Sequence, residues 1–189
     1  MDELEIKHNK AKKMMLWGGM ISMSMTFAGL TSAYVVSSTR TDWLTKFEVP
    51  TAFAISTLLI LLSSVTFFLA KKSLMVENIK RAKTLILTTF LLAVLFIYFQ
   101  FTGFAEIIAQ GYYFTGAESS ITTSFLYVLV LLHLAHLFAG MVVLSVVYFR
   151  LLQGRYSASH TLGFELAHLF WHFLDVLWIY LYLFVLLYR

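Results

Sequence analysis

Four ionisable residues sit inside one long apolar stretch near the end of the sequence. Glu165, His168, His172 and Asp175 lie in HTLGFELAHLFWHFLDVLWIYLYLFVLLYR, residues 160–189. On a helix turning about 100° per residue, their offsets of 0, 3, 7 and 10 place all four within an arc of roughly 80°. A second pair, His133 and His136, occupies another apolar stretch. Four chemistries suit such residues. Histidines from facing helices at matching depth can hold a b-type haem. Glu165-x-x-His168 spells half of a di-iron ligand set, but that site needs the same spelling on a second helix and carboxylates on two more. The other apolar stretches contain no Asp or Glu, so the metal reading is weak. A line of acids and histidines can pass protons. Lastly, polar groups inside a membrane commonly pair with one another, and the residue types favour this reading: a hydrogen-bonded seam tying the stretch of 160–189 to that of His133 and His136.

The elements that would position these residues are membrane spans. Hydrophobic residues make up 60% of the 189 and charged ones only 13%, with mean hydropathy +0.80, well outside the range of a soluble domain. Without cysteine there are no disulfides, thiolate ligands or catalytic thiols. The excess of basic residues lies between apolar runs, where it sets orientation, so no nucleic-acid partner is expected. The apolar runs predict an all-α integral membrane protein, a single domain over 1–189. A polar head, 1–13, precedes five spans at about 14–38, 50–70, 84–104, 125–149 and 163–188, each long enough for about 30 Å of hydrocarbon. The first run exceeds the apolar region of a secretory signal, and Thr31-Ser32-Ala33 makes a poor cleavage site, so it is read as an uncleaved span. Pro50 suits a helix start.

Eleven Lys and Arg fall in the head and the 71–83 and 150–166 connectors, against Arg40, Lys46 and Arg189 on the other side. The positive-inside rule then predicts a cytoplasmic amino terminus and an external carboxyl terminus. Gly18, Ser22, Thr26, Gly29 and Ala33 form a small-residue stripe suited to close helix contact, and Gly140 shares a face with His136. With a short connector between them, spans four and five are expected to touch, with His133 or His136 hydrogen-bonded to a polar group of span five. Trp171 and Trp178 are read as packing or lipid-facing residues. The spans are continuous, without the broken helices and repeats of transporters. A small transporter or ion-conducting protein, and a b-haem electron carrier, remain the readings from other classes.

These residues also resemble a known family. GFELAHLFWHFLDVLWIYLYLF (163–184), with its G-F-E and W-H-F-x-D-x-x-W, is similar to the last helix of subunit III of the haem–copper terminal oxidases. His133-x-x-His136-x-x-x-Gly140 resembles that family's H-x-x-H-x-x-x-G helix. Ser56-Thr57 with Leu62-Ser63-Ser64-Val65-Thr66 resembles its serine-rich helix, and Phe99-Gln100 matches its common F-Q. The resemblance implies the short, five-span form of an accessory subunit in a bacterial plasma membrane. Such a subunit has no catalytic residue and binds no redox metal. It stands beside catalytic subunit I and subunit II, with haem and copper in the partner subunits and phospholipid expected around it. The complex reduces O2 to water with electrons from cytochrome c and pumps protons; subunit III supports stability and proton uptake. A quinol oxidase or a nitric-oxide-reductase-associated relative uses a similar chain. One departure stands out: where many members carry a glutamate in the first span, this sequence has Met23, which cannot exchange a proton.

Overall fold

The computed structural model describes residues 3–41, 43–44, 49–114, 116, 120–156 and 161–188. Among them are five helices: α1 (Glu3–Ser37), α2 (Thr51–Met75), α3 (Ile79–Ala109), α4 (Ile121–Leu152) and α5 (Leu162–Leu187). Each is long and apolar enough to cross a membrane. Lys46 and Arg189, used above for orientation, lie outside the described residues, as does His160.

The helices outrun the apolar stretches. The polar head is itself helical from Glu3, and α2, α3 and α4 continue through Lys71–Lys72, Lys80–Lys83 and Arg150. Lys and Arg are good helix formers whose long stems let a charged head reach water from a helix end. Local chemistry sets the boundaries. Pro50 caps α2, where its missing N–H costs nothing. Between α2 and α3, the Asn78 N–H bonds Ser73 C=O at 2.9 Å and the Glu77 N–H bonds Leu74 C=O at 3.0 Å, a Schellman ending. It puts Glu77 at φ 57°, a left-handed conformation usually filled by glycine. Asn78 then caps α3 by accepting from the Arg81 N–H, and Ser120 caps α4 by accepting from the Thr123 N–H.

Helices α2, α3, α4 and α5 form a closed ring in that order, and α1 lies outside it against α4 and α5. The contact between α2 and α3 is the most extensive and carries two polar rungs. Buried Gln100 donates to Ser56 at 2.8 Å, and Thr66 and Thr89 share a hydrogen bond of 2.8 Å. Within the ring lie Ile60, Phe67, Phe96, Leu137, Leu174 and the two indoles of α5, all nearly inaccessible.

Helix α1 turns Met20, Phe27, Thr31 and Tyr34 inward. Phe27 packs on the His136 ring, and Tyr34 meets Phe184 edge to face. The small-residue stripe is on the opposite side. Gly18, Ser22, Thr26, Gly29 and Ala33 are all exposed, and a Cβ placed on Gly18 or Gly29 would meet nothing within 4 Å. Close packing on this stripe is therefore not made by the other four helices.

Candidate functional site

Helices α4 and α5 each touch three others; α5, which packs on α1, α2 and α4 and also carries the ionisable stripe, is the hub of the site. Its ionisable stripe runs from the helix start towards the middle of the membrane, and it changes character on the way. Glu165 sits in the first turn with its side chain 37% exposed. It accepts from Thr161 at 3.0 Å and from the Lys13 ammonium of α1 at 3.3 Å. Lys71, near the end of α2, adds a second positive charge close enough to act on Glu165, His168 and His172.

One turn further in, His168 lies against Phe67 and Phe68, and its Nε2 is 3.0 Å from Nε2 of His172. The other nitrogen of His172, Nδ1, bonds the Ser64 hydroxyl of α2. Two proton arrangements satisfy this chain. Either His172 donates from Nδ1 to Ser64 and accepts from His168, or Ser64 donates to Nδ1 and His172 donates to His168. Reversing one into the other moves a proton across the imidazole, so the pair can relay a proton over a short distance.

The stripe ends at Asp175, which is 2% exposed. Its Oδ2 is 3.9 Å from His172 Nδ1, and Ser64 also approaches it. Neither carboxylate oxygen has a hydrogen-bond partner of good geometry. Burying an unpaired carboxylate in hydrocarbon is costly, and a neutral acid or one sharing the His172 proton costs far less.

The tryptophans, read from sequence as packing or lipid-facing, take part in the same interface. Trp171 and Trp178 are 1% and 2% exposed, and both indole N–H groups donate to α2: Trp171 to Ser63 at 2.9 Å, Trp178 to Thr57 at 3.0 Å. With Ser64–His172 these make three rungs between the helices. The pair at 171–172 of α5 meets 63–64 of α2, and Trp178, two turns on, meets Thr57 nearer the start of α2, as antiparallel helices require. A buried indole N–H needs an acceptor, and that requirement was the signal available in the sequence.

The expected histidine bonds between α4 and α5 are not there. The two helices do touch: a Cβ on Gly140 would lie 2.8 Å from Leu174 Cδ1 and 3.5 Å from the Trp171 ring. His133, however, is fully buried with both nitrogens unpartnered, its ring 5.1 Å from that of Trp178 and 6.2 Å from that of Phe96. His136 turns away: its Nδ1 lies 2.7 Å from the Leu132 carbonyl, and its ring faces Phe27 of α1. The polar seam of α5 therefore runs along α2, whose hydroxyls form a matching row, whereas α4 offers a glycine and the unbonded ring of His133.

Nor does the geometry suit a metal. A haem held between α4 and α5 would need a histidine of each helix turned to the other. His133, however, packs on Trp178, His136 faces Phe27 of α1, and His168 and His172 bond each other and Ser64 of α2. Among the described residues no three His, Asp or Glu side chains converge.

Comparison with known proteins identifies relatives of the chain. Cytochrome c oxidase subunit 3 of Loxodonta africana is 35% identical over 143 residues, 74% of this chain and 50% of that protein. The protein of the same name from Prototheca wickerhamii is 33% identical over 142 residues, again 74% and 50%. A bacterial relative from Rickettsia felis is 34% identical over 143 residues, 74% of this chain and 48% of its own length. The chain thus spans about half the length of the curated relatives it matches. The family description "Cytochrome c oxidase subunit III" covers residues 20–189, so it takes in all of α2 to α5 and about the second half of α1. On that match, the chain belongs to the cytochrome c oxidase subunit III family.

Proposed function

We propose that this chain is the accessory subunit III of a haem–copper oxidase in a bacterial plasma membrane, non-catalytic by itself. The observation that carries the reading is the fate of the α5 stripe. Its histidines and indoles are taken up in bonds between helices and along α5, and are not offered as ligands. The family match supports the wider setting: catalytic subunit I and subunit II as partners, haem and copper held there, electrons from cytochrome c reducing O2 to water with proton pumping, and phospholipid around the chain. The part played here is stability and proton supply. Glu165, exposed and flanked by lysines, marks the entrance of a line that continues through His168 and His172 to Asp175. With the amino terminus and the α2–α3 turn in the cytoplasm, that entrance faces the side from which protons are taken up.

Deletion of the chain from the complex tests this. The haem spectrum and copper content of the remaining subunits should persist and the initial rate of O2 reduction should survive, while activity fades sooner during sustained turnover. Loss of a haem signal from an otherwise assembled complex would overturn the reading. Orientation is tested by single cysteines and a membrane-impermeant reagent. Position 113 should react from outside the cell and position 77 should not; the opposite pattern would reverse the topology.

A further inference from the structure

We propose that the groove between the first half of α3 and the last part of α4 holds one acyl chain of an anionic phospholipid, with Lys83 meeting its headgroup. A cavity of about 180 Å³ opens there, walled by Ile86, Leu87 and Phe90 of α3 and by Leu144, Tyr148 and Phe149 of α4. Its wall is almost wholly apolar. Ser145, which also lines it, has spent its hydroxyl on the Met141 carbonyl at 2.8 Å. Apolar cavities of about 150 Å³ stay dry and take up a benzene-sized hydrocarbon. A helix, about 10–12 Å across with its side chains, does not fit such a space; a single alkyl chain does.

The charge lies at one end. Lys83 precedes Leu87 by one turn on the same face of α3 and is partly buried. At 1.5 Å per residue it stands about 6 Å from the start of α3, and Phe90 about 16 Å, so the lysine is at the mouth and the phenylalanine at the floor. A lysine stem lying along apolar surface delivers its ammonium to the headgroup layer. Around that mouth the ends of α3 and α4 carry Lys80, Arg81 and Arg150, and Arg155 follows α4 by three residues. Glu77 is the one acid among the described residues of the α2–α3 turn and these segments. This balance favours an anionic headgroup over a zwitterionic one. The inference needs only that the helices cross a membrane; it does not rest on the oxidase reading.

The test uses the full chain in its native complex, extracted in mild detergent. It is offered phosphatidylglycerol or phosphatidylcholine carrying the same photoactivatable group on one acyl chain, and the adducts are mapped by peptide mass spectrometry. Adducts should concentrate in segments 84–92 and 141–150, with phosphatidylglycerol favoured about fivefold, as expected for one lysine near the surface. Lys83→Gln should erase the preference, and Leu87→Trp, which fills the groove from an exposed position, should remove adducts from Tyr148 and Phe149. Equal labelling by the two lipids, or adducts spread evenly over all helices, would mean ordinary boundary lipid and overturn the proposal. Labelling of the free chain but not of the complex would overturn it too, since a neighbouring subunit would then cover the groove.

Discussion

Helix α5 is held on two sides by different means. Towards α2 it is bonded: two indoles and one imidazole each meet a hydroxyl, in register. Towards α4 it is fitted: Gly140 lets Leu174 and Trp171 approach, and His133 presents an unbonded ring to Trp178. Hydrocarbon supplies no hydrophobic drive between helices, so both sides depend on contact quality. They fail differently, however. A fitted surface is sensitive to volume wherever it is altered. A bonded surface tolerates small changes of volume but not the loss of a donor whose acceptor stays behind.

The largest expected effect falls where the two sides meet. Trp171 both bonds Ser63 and packs on Gly140. Trp171→Ala should therefore lower stability by about 3–5 kcal/mol, the range for truncating a large buried aromatic. Reversible unfolding in a mixed detergent would measure it; a loss under about 1 kcal/mol would show that α5 is not the hub.

Gly140→Leu comes next, at about 1–3 kcal/mol, because even its Cβ meets Leu174 at 2.8 Å. Gly29→Leu is the control. Nothing lies within 4 Å of that position, so the isolated chain should be unaffected, and any effect seen only in the complex would identify α1's outer stripe as packed against a partner.

The two central histidines should then separate the two sides. His172→Phe leaves Ser64 and His168 without their partner and should cost about 1–3 kcal/mol. His133→Phe removes two unsatisfied nitrogens from an aromatic pocket and should be neutral or stabilising. Equal losses would mean that His133 is bonded in the membrane after all.

Smaller effects follow. A double-mutant cycle of Trp171→Phe with Ser63→Ala should give a coupling of about 0.6 kcal/mol, the average for hydrogen bonds between membrane helices. Lys13→Gln removes an ion pair whose side chains are 52% and 37% exposed, and should cost about 0.2–1 kcal/mol, fading as salt is raised. A salt-independent loss at Lys13 would indicate a packing role for its stem.

What could be read from the sequence divides along the same line. The five helices were legible because runs of apolar residues are local, and so was the grouping of the α5 stripe, because helical period is local. Of that stripe only Asp175 is buried, while His168 and His172 are half-buried and Glu165 is partly exposed. The partner of that stripe was not. Chain proximity and the H-x-x-H of α4 pointed to His133 and His136, whereas Thr57, Ser63 and Ser64 lie more than a hundred residues from the groups they bond. Polar matching across such a distance leaves no periodic trace. The outward aspect of Gly18 and Gly29 was hidden for a related reason: small residues permit close approach but do not say by whom.

The antiparallel row of hydroxyls on α2 has a consequence for biosynthesis. As the polypeptide leaves the ribosome, α2 and α3 emerge as a hairpin and can pair at once through Gln100–Ser56 and Thr66–Thr89. Thr57, Ser63 and Ser64 must wait, because α5 is the last of the five helices to be made. Until it enters the bilayer the ring stands open on that flank, with hydroxyls turned towards lipid or folded back on their own helix. Insertion of α5 is thus the closing event of this assembly, and a ribosome that stalled before residue 171 would release a hairpin already paired but a bundle that could not shut.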